Sequence, residues 1–189
     1  MNYTLPKSLD VCGTEYGIRW DYRAALDVCA ALSDPELDDQ ERAFAALLIL
    51  YPDFDRMPPE HYEDAMRLLV WYLNGGTEER SNAPRRRLMS WEQDWPIIVG
   101  PVSRVLGADV RGMEKLHWWS FLAAYMEIGD CLFAHVVAIR AKKAKGQKLS
   151  KEDRAFYREN QDIIDIKTTY TDDENAVLAL WAGADQNKG

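Results

Sequence analysis

The chain has 189 residues, of which 47% are apolar and 29% charged, the proportions of a folded domain rather than of a disordered or multi-span membrane chain. Thirty-one acidic residues against 23 basic ones give a net charge of −8, which argues against a general nucleic-acid coat but leaves room for a local phosphate-binding patch. Cys12, Cys29 and Cys131 are an odd number without paired short spacing and suit reduced thiols, and Met1 to Asp10 carry no apolar core of signal-peptide length.

The first element reads as a β-hairpin at about residues 8–20. Leu9 and Val11 precede Gly13-Thr14, and Tyr16, Ile18 and Trp20 alternate with polar residues or glycine. Two strands alone are marginal in water, so the hairpin must lean on other elements. Helical spacing takes over after Asp21, with Tyr22, Leu26, Cys29 and Ala30 on one stripe. An acidic turn around Pro35 leads to a second helix, about Asp39 to Tyr51, with Phe44, Leu47, Leu48 and Tyr51 on one side. Pro52 stops it. A third helix starts near Pro58-Pro59, carries Tyr62, Ala65, Met66, Leu69 and Leu73, and ends at Asn74-Gly75-Gly76.

Thr77 to Arg87 is polar and reads as an exposed, mobile loop. Ser90 followed by Gln93 resembles a capping box. Trp91, Trp95, Ile98, Val102 and Val105 recur at helical spacing, yet Pro96 and Pro101 each remove a backbone donor. A kink or two short pieces is therefore expected.

Leu116 to Ile139 is the most apolar stretch. Glu127, Gly129 and Asp130 split it into halves too short to span a bilayer. Two core helices are expected, about 115–128 and 130–144. The first, apolar nearly all round, belongs at the centre of the fold. Its faces are Leu116, Trp119, Ala123 and Met126, and Trp118, Phe121, Leu122 and Tyr125. Ser150, Glu152 and Asp153 open a further helix through Tyr157. Residues 171–189 read as a short last helix and a fraying tail. The resulting fold class is mainly α: one compact helical domain over about residues 1–170 with a small N-terminal hairpin.

Three constellations bear on chemistry. Cys131 and His135 are four apart on a helix, and His117 lies 14 residues earlier, so the three are a candidate metal set. The simpler reading packs Cys131 as a small apolar group and gives His135 one hydrogen bond, so no metal or cofactor is expected. Glu60, Glu63 and Asp64 sit near a helix start, where negative charge complements the helix dipole. Nothing places them in a desolvated acid–base site. No nucleophile elbow, phosphate-cradling glycine loop or zinc-protease motif occurs, so no catalytic residue is assigned. Arg85, Arg86 and Arg87, with Arg140, Lys142 and Lys143 of a segment of six basic residues, form a candidate interaction patch. Against phosphate contact stands the ordinary role of such runs as solvated helix ends. Trp118 and Trp119 project about 100° apart on a helix and cannot form one stacking platform. One is expected to pack inward and the other to meet a second helix or a partner.

Leu116-His117-Trp118-Trp119-Ser120-Phe121-Leu122, with the basic run and the acidic helix after it, resembles the bacteriophage gene-product-fifteen family of siphophages that infect Gram-positive hosts. Trp20-Asp21-Tyr22-Arg23 after the hairpin, Trp91 to Asp94, and Gly107-Ala108-Asp109 are similar too. The resemblance covers about residues 5–165. It implies a phage or prophage origin and a tail-assembly chaperone in the host bacterial cytoplasm. The implied partners are the tape-measure protein and tail-tube subunits; nucleic acid and membrane are not expected, and self-association is left open. The alternatives are a structural tail or head–tail component retained in the virion and a nucleic-acid-binding accessory protein. Leu116, His117, Trp118, Trp119 and Phe121 carry over as motif members with a packing role.

Overall fold

The computed structural model describes residues 4–77 and 87–167. Strands β1 (Ser8–Val11) and β2 (Thr14–Gly17) pair antiparallel, with Val11 opposite Thr14. The two-residue turn between them has φ of 49° at Cys12 and 80° at Gly13, the left-handed pair that matches the twist of a tight hairpin. The strand ends sooner than the alternation implies, and the Ile18 N–H then bonds Lys7 O at 2.9 Å. The hairpin leans on the third helix through Asp64, whose carboxylate accepts the Cys12 N–H at 3.0 Å.

Helix α1 (Tyr22–Ala31) starts at Asp21, whose side chain accepts the Arg23 N–H. It buries Tyr22, Ala25 and Val28, while Ala30, expected on the inner stripe, is exposed. Helix α2 (Asp39–Leu50) opens with a full capping box made by Asp38 and Glu41. Its inner side is Ala46, Leu47 and Leu50. Phe44 and Leu48, expected to face inward, are 52% and 51% exposed. The helix is apolar on more than one side, and periodicity alone does not choose between its faces. A 3₁₀ turn at Pro59–His61 runs into α3 (Tyr62–Leu73). Helix α3 ends in a Schellman motif, with Gly76 N–H bonded to Trp71 O and Gly75 N–H to Tyr72 O.

Helix α4 (Trp91–Leu106) runs through both prolines as one helix, so the two short pieces named as one expected outcome do not occur. Pro96 and Pro101 leave the carbonyls of Glu92 and Ile97 without their usual donors. Burial of Ile98, Val99 and Val102 holds the helix on course, and Gly100 ahead of Pro101 removes the Cβ that proline would crowd. Only half of the expected capping box forms. Ser90 Oγ accepts the Gln93 N–H, but the Gln93 amide reaches away to Asp165 O and accepts the Lys167 N–H. The Ser90 N–H goes to Asp94 instead.

Helices α5 (Trp118–Met126) and α6 (Leu132–Ala144) are the two expected from the apolar stretch, each shorter than the expected span. Helix α5 buries Trp118, Phe121 and Ala124, but Ala123 is exposed and Met126 is 77% exposed, so it is not enclosed all round. Ser150 caps α7 (Lys151–Glu159), and the one-turn α8 (Gln161–Ile164) follows. The main core is built from the hairpin, α1 to α5 and Phe133 of α6, with Tyr22, Tyr51, Tyr72, Trp118 and Phe121 its largest buried side chains. Each such ring contributes about 1.5–3 kcal/mol by leaving water. A smaller cluster of Val136, Ile139 and Ile164 seats α7 and α8 on α6. The last helix expected from the sequence lies outside the described residues.

Candidate functional site

The tryptophan motif begins at a junction between segments far apart in sequence. Asp21 forms an isolated antiparallel bridge with His117. The Tyr22 N–H bonds Leu116 O at 2.9 Å, the Trp118 N–H bonds Trp20 O at 3.0 Å, and the Asp21 carboxylate accepts the Leu116 N–H at 3.0 Å. Trp20-Asp21-Tyr22-Arg23 and Leu116-His117-Trp118-Trp119 are thus two sides of one knot.

His117 sits at its centre and is the N-cap of α5. Its Nδ1 accepts the Trp119 N–H at 3.0 Å and its Nε2 lies 2.8 Å from Pro6 O. Only a neutral ring with the proton on Nε2 serves both partners. Trp20 stacks on the ring, while Tyr72 and Trp119 stand edge-on to it. Burial, reinforced by the charge of Lys7, holds its pKa below the ordinary histidine value, against the opposing bond to Pro6.

The paired tryptophans diverge as expected, but they converge on one helix end. Trp118 Nε1 donates to Leu73 O at 3.1 Å and Trp119 Nε1 to Tyr72 O at 2.9 Å. Both carbonyls belong to the last turn of α3, where helical donors run out. The Trp118 ring is fully buried beside Phe121 and Trp91, and Trp119 is partly buried against Trp71 and Gly76. Phe121 stacks on Tyr22 with ring centres 5.0 Å apart. Every polar atom of the motif that bonds is engaged within the chain.

Four residues of the candidate basic patch, Arg87, Arg140, Lys142 and Lys143, are among the described residues. Arg85 and Arg86 lie outside the described residues. Arg87 donates to Met89 O and Ser90 Oγ. Arg140, expected on a surface patch, is buried. It makes a two-pronged ion pair with buried Asp94 at 2.7 and 2.8 Å and donates to Leu88 O, Ile163 O and Ile164 O. Lys142 pairs with Asp153 at 2.6 Å, and Lys143 pairs with Asp165 while lying over the Tyr157 ring. The Asp94–Arg140 pair is a determinant that sequence reasoning missed. Its only forward signal is an acid in the first turn of a helix whose neighbours are apolar.

The candidate metal set does not assemble. His117 is committed to the knot, Cys131 is the N-cap of α6, and exposed His135 packs edge-on to Phe156. Among the described residues no group of three or more histidines, cysteines or acids is placed to hold a metal ion. Asp64 ties the hairpin turn to Arg67, and these bonds hold its carboxyl below the usual carboxylate range. Glu60 and Glu63 are exposed. No described helix is long and apolar enough to cross a membrane.

No curated protein and no solved structure matches the chain. The family model described as "Bacteriophage Gp15 protein" matches residues 1–166, which include the hairpin, both halves of the knot and the Asp94–Arg140 pair. With that match over nearly nine-tenths of its length, the chain belongs to the Bacteriophage Gp15 protein family.

Proposed function

We propose that the protein is a non-enzymatic tail-assembly chaperone that binds the tape-measure protein in the host cytoplasm while tail-tube subunits polymerise. The observation that carries this reading is the commitment of the family motif to internal bonds. His117, Trp118 and Trp119 hold three distant segments together, and their polar atoms are spent on backbone partners. Among the described residues no buried side-chain nitrogen or oxygen lacks a partner. Such an arrangement favours a rigid body that presents a surface over a pocket with a reactive group waiting for substrate.

A tape-measure protein is long and helical, and before the tube encloses it its apolar stripes need cover. A helical domain with a net charge of −8 supplies solubility to such a complex. Contacts of groove-and-rim type suit a partner that must later be released. The test is co-expression of the untagged chain with a tagged tape-measure product from the same phage. Recovery of both in one soluble complex supports the reading; aggregation of the tape-measure product with the chain left free in solution contradicts it.

A further inference from the structure

Helix α5 carries no charged side chain, and only one of its sides goes inward, through Trp118, Phe121 and Ala124. On the other side stand Trp119, Leu122, Ala123 and Met126, at the three- and four-residue spacing that makes neighbours on a helix surface. Trp119 and Leu122 are half-buried, Ala123 is exposed, and Met126 at 77% is the most exposed large apolar side chain among the described residues. The stripe continues onto the end of α3. Trp71 meets Trp119 with ring centres 5.4 Å apart, and a Cβ added at Gly75 would lie 3.6 Å from Leu122. A contiguous apolar stripe without charge, on a chain of net charge −8, marks a protein-contact surface.

The stripe is complementary to itself. Set against a copy about a two-fold axis, with the two helices antiparallel, position 119 stands opposite 126 and position 122 opposite 123. Trp119 then meets Met126 of the second copy in a sulfur–ring contact. Leu122 lies over Ala123 of the second copy, a large side chain against a small one, and the same two contacts repeat across the axis. The ends of the stripe match in charge as well. Near its N-terminal end, Lys115 and Lys7, which lies over the Trp20 ring stacked on the His117 cap, outnumber Glu114. Asp21 and Arg23 at that end pair with each other. Near its C-terminal end, Glu127 and Asp130 outnumber Arg104, which donates to Ile128 O. Antiparallel seating brings the positive end of each copy to the negative end of the other.

We infer that the outer face of α5 is a two-fold self-association surface, on which a second copy of the chain seats its own α5 antiparallel. This inference stands apart from the proposed function. A helix of arbitrary sequence satisfies neither the order of side-chain sizes nor the end charges, whereas a copy of α5 satisfies both. From residue 119 to 126 the helix rises about 11 Å. A stripe that short covers less than the roughly 800 Å² per partner of a standard stable interface. The dimer is therefore weak and reversible, with a dissociation constant of about 10–100 μM.

The test is sedimentation equilibrium of the full chain from about 5 to 500 μM. The mass is expected to rise from monomer toward dimer across that range. Ala123→Glu, at an exposed position, sets like charges beside the axis and is expected to weaken the dimer about tenfold or more. Met126→Ser removes a contact that occurs twice per dimer and is expected to weaken it by about tenfold or more. Phe44→Ser, on α2, is expected to have no effect. Ala123→Lys is expected to be monomeric alone, and an equimolar mixture with Ala123→Glu to recover the dimer, a result that misfolding of either variant does not produce. A monomer at every concentration overturns the inference. So does a dimer that Ala123→Glu and Met126→Ser leave intact, a dimer lost in Phe44→Ser, or a mixture that stays monomeric. Unchanged self-association in Ala123→Glu with loss of tape-measure capture would assign the stripe to that partner, and it overturns the inference too.

Discussion

Arg140 gathers five hydrogen bonds from three segments: Leu88 before α4, Asp94 within it, and Ile163 and Ile164 of α8. The charge is affordable in the core only because Asp94 answers it and the backbone satisfies the rest. Asp94→Ala leaves a buried guanidinium uncompensated and is expected to lower unfolding free energy by about 3–5 kcal/mol in urea titration. The pair replacement Asp94→Leu with Arg140→Met is expected to recover part of that loss; a loss in the pair equal to the sum of the two singles would contradict an ion-pair origin. Among the six basic residues from Arg140 to Lys151, sequence offers no sign that the first is interior. Its acid is 46 positions away, and that pairing exists only once α4 and α6 are packed. His117 sets a second expectation at this scale. Its folded pKa lies below the unfolded value of about 6.5, so the unfolded chain takes up the proton first. Its contribution is complete above about pH 6.5 and is lost as pH falls through that value toward the folded pKa. Protonation also removes the acceptor used by the Trp119 N–H. Stability measured from pH 8 to 5 should therefore fall more steeply in the natural chain than in His117→Gln, and parallel curves would contradict this account.

Helix ends were the most legible elements, because caps are local. Asn74-Gly75-Gly76, Ser150 and the Gly13 turn all act where their residue types put them. Helix faces were less so. Phe44 and Leu48 have the right spacing for a core stripe, yet Ala46, Leu47 and Leu50 take that place against α1 and α3. The prolines of α4 do not divide it, because burial of Ile98, Val99 and Val102 outweighs two missing backbone bonds. Two glycines separate conformation from packing. Gly76 has φ of +82°, and a Cβ there would lie 2.7 Å from the Trp119 ring. Gly76→Ala should cost roughly 1–2 kcal/mol from backbone conformation, with the ring clash added. Gly100→Ala, in a helix with open space on its outer side, gains up to about 1 kcal/mol of helix propensity against the crowding of its new Cβ by Pro101, so it should cost less than Gly76→Ala. Thermal melts compare the two directly; equal effects would contradict the close approach of Trp119 to the end of α3.

For the whole molecule, the motif that marks the family was legible as a string but not as a device. Trp118 and Trp119 read as a buried ring and a ring for a neighbour. Their joint capping of α3 depends on a helix end 45 and 47 residues away. On the proposed function, what this architecture offers a partner is surface. A chaperone must be present on the tape-measure protein before the tube forms and gone afterwards. The most direct measurement is quantitative mass spectrometry of two fractions from one phage infection: tape-measure complexes captured before tail completion, and purified finished tails. The account predicts the chain in near-stoichiometric amount in the first and its absence from the second. Its retention in finished tails, or its absence from the early complexes, would contradict the account.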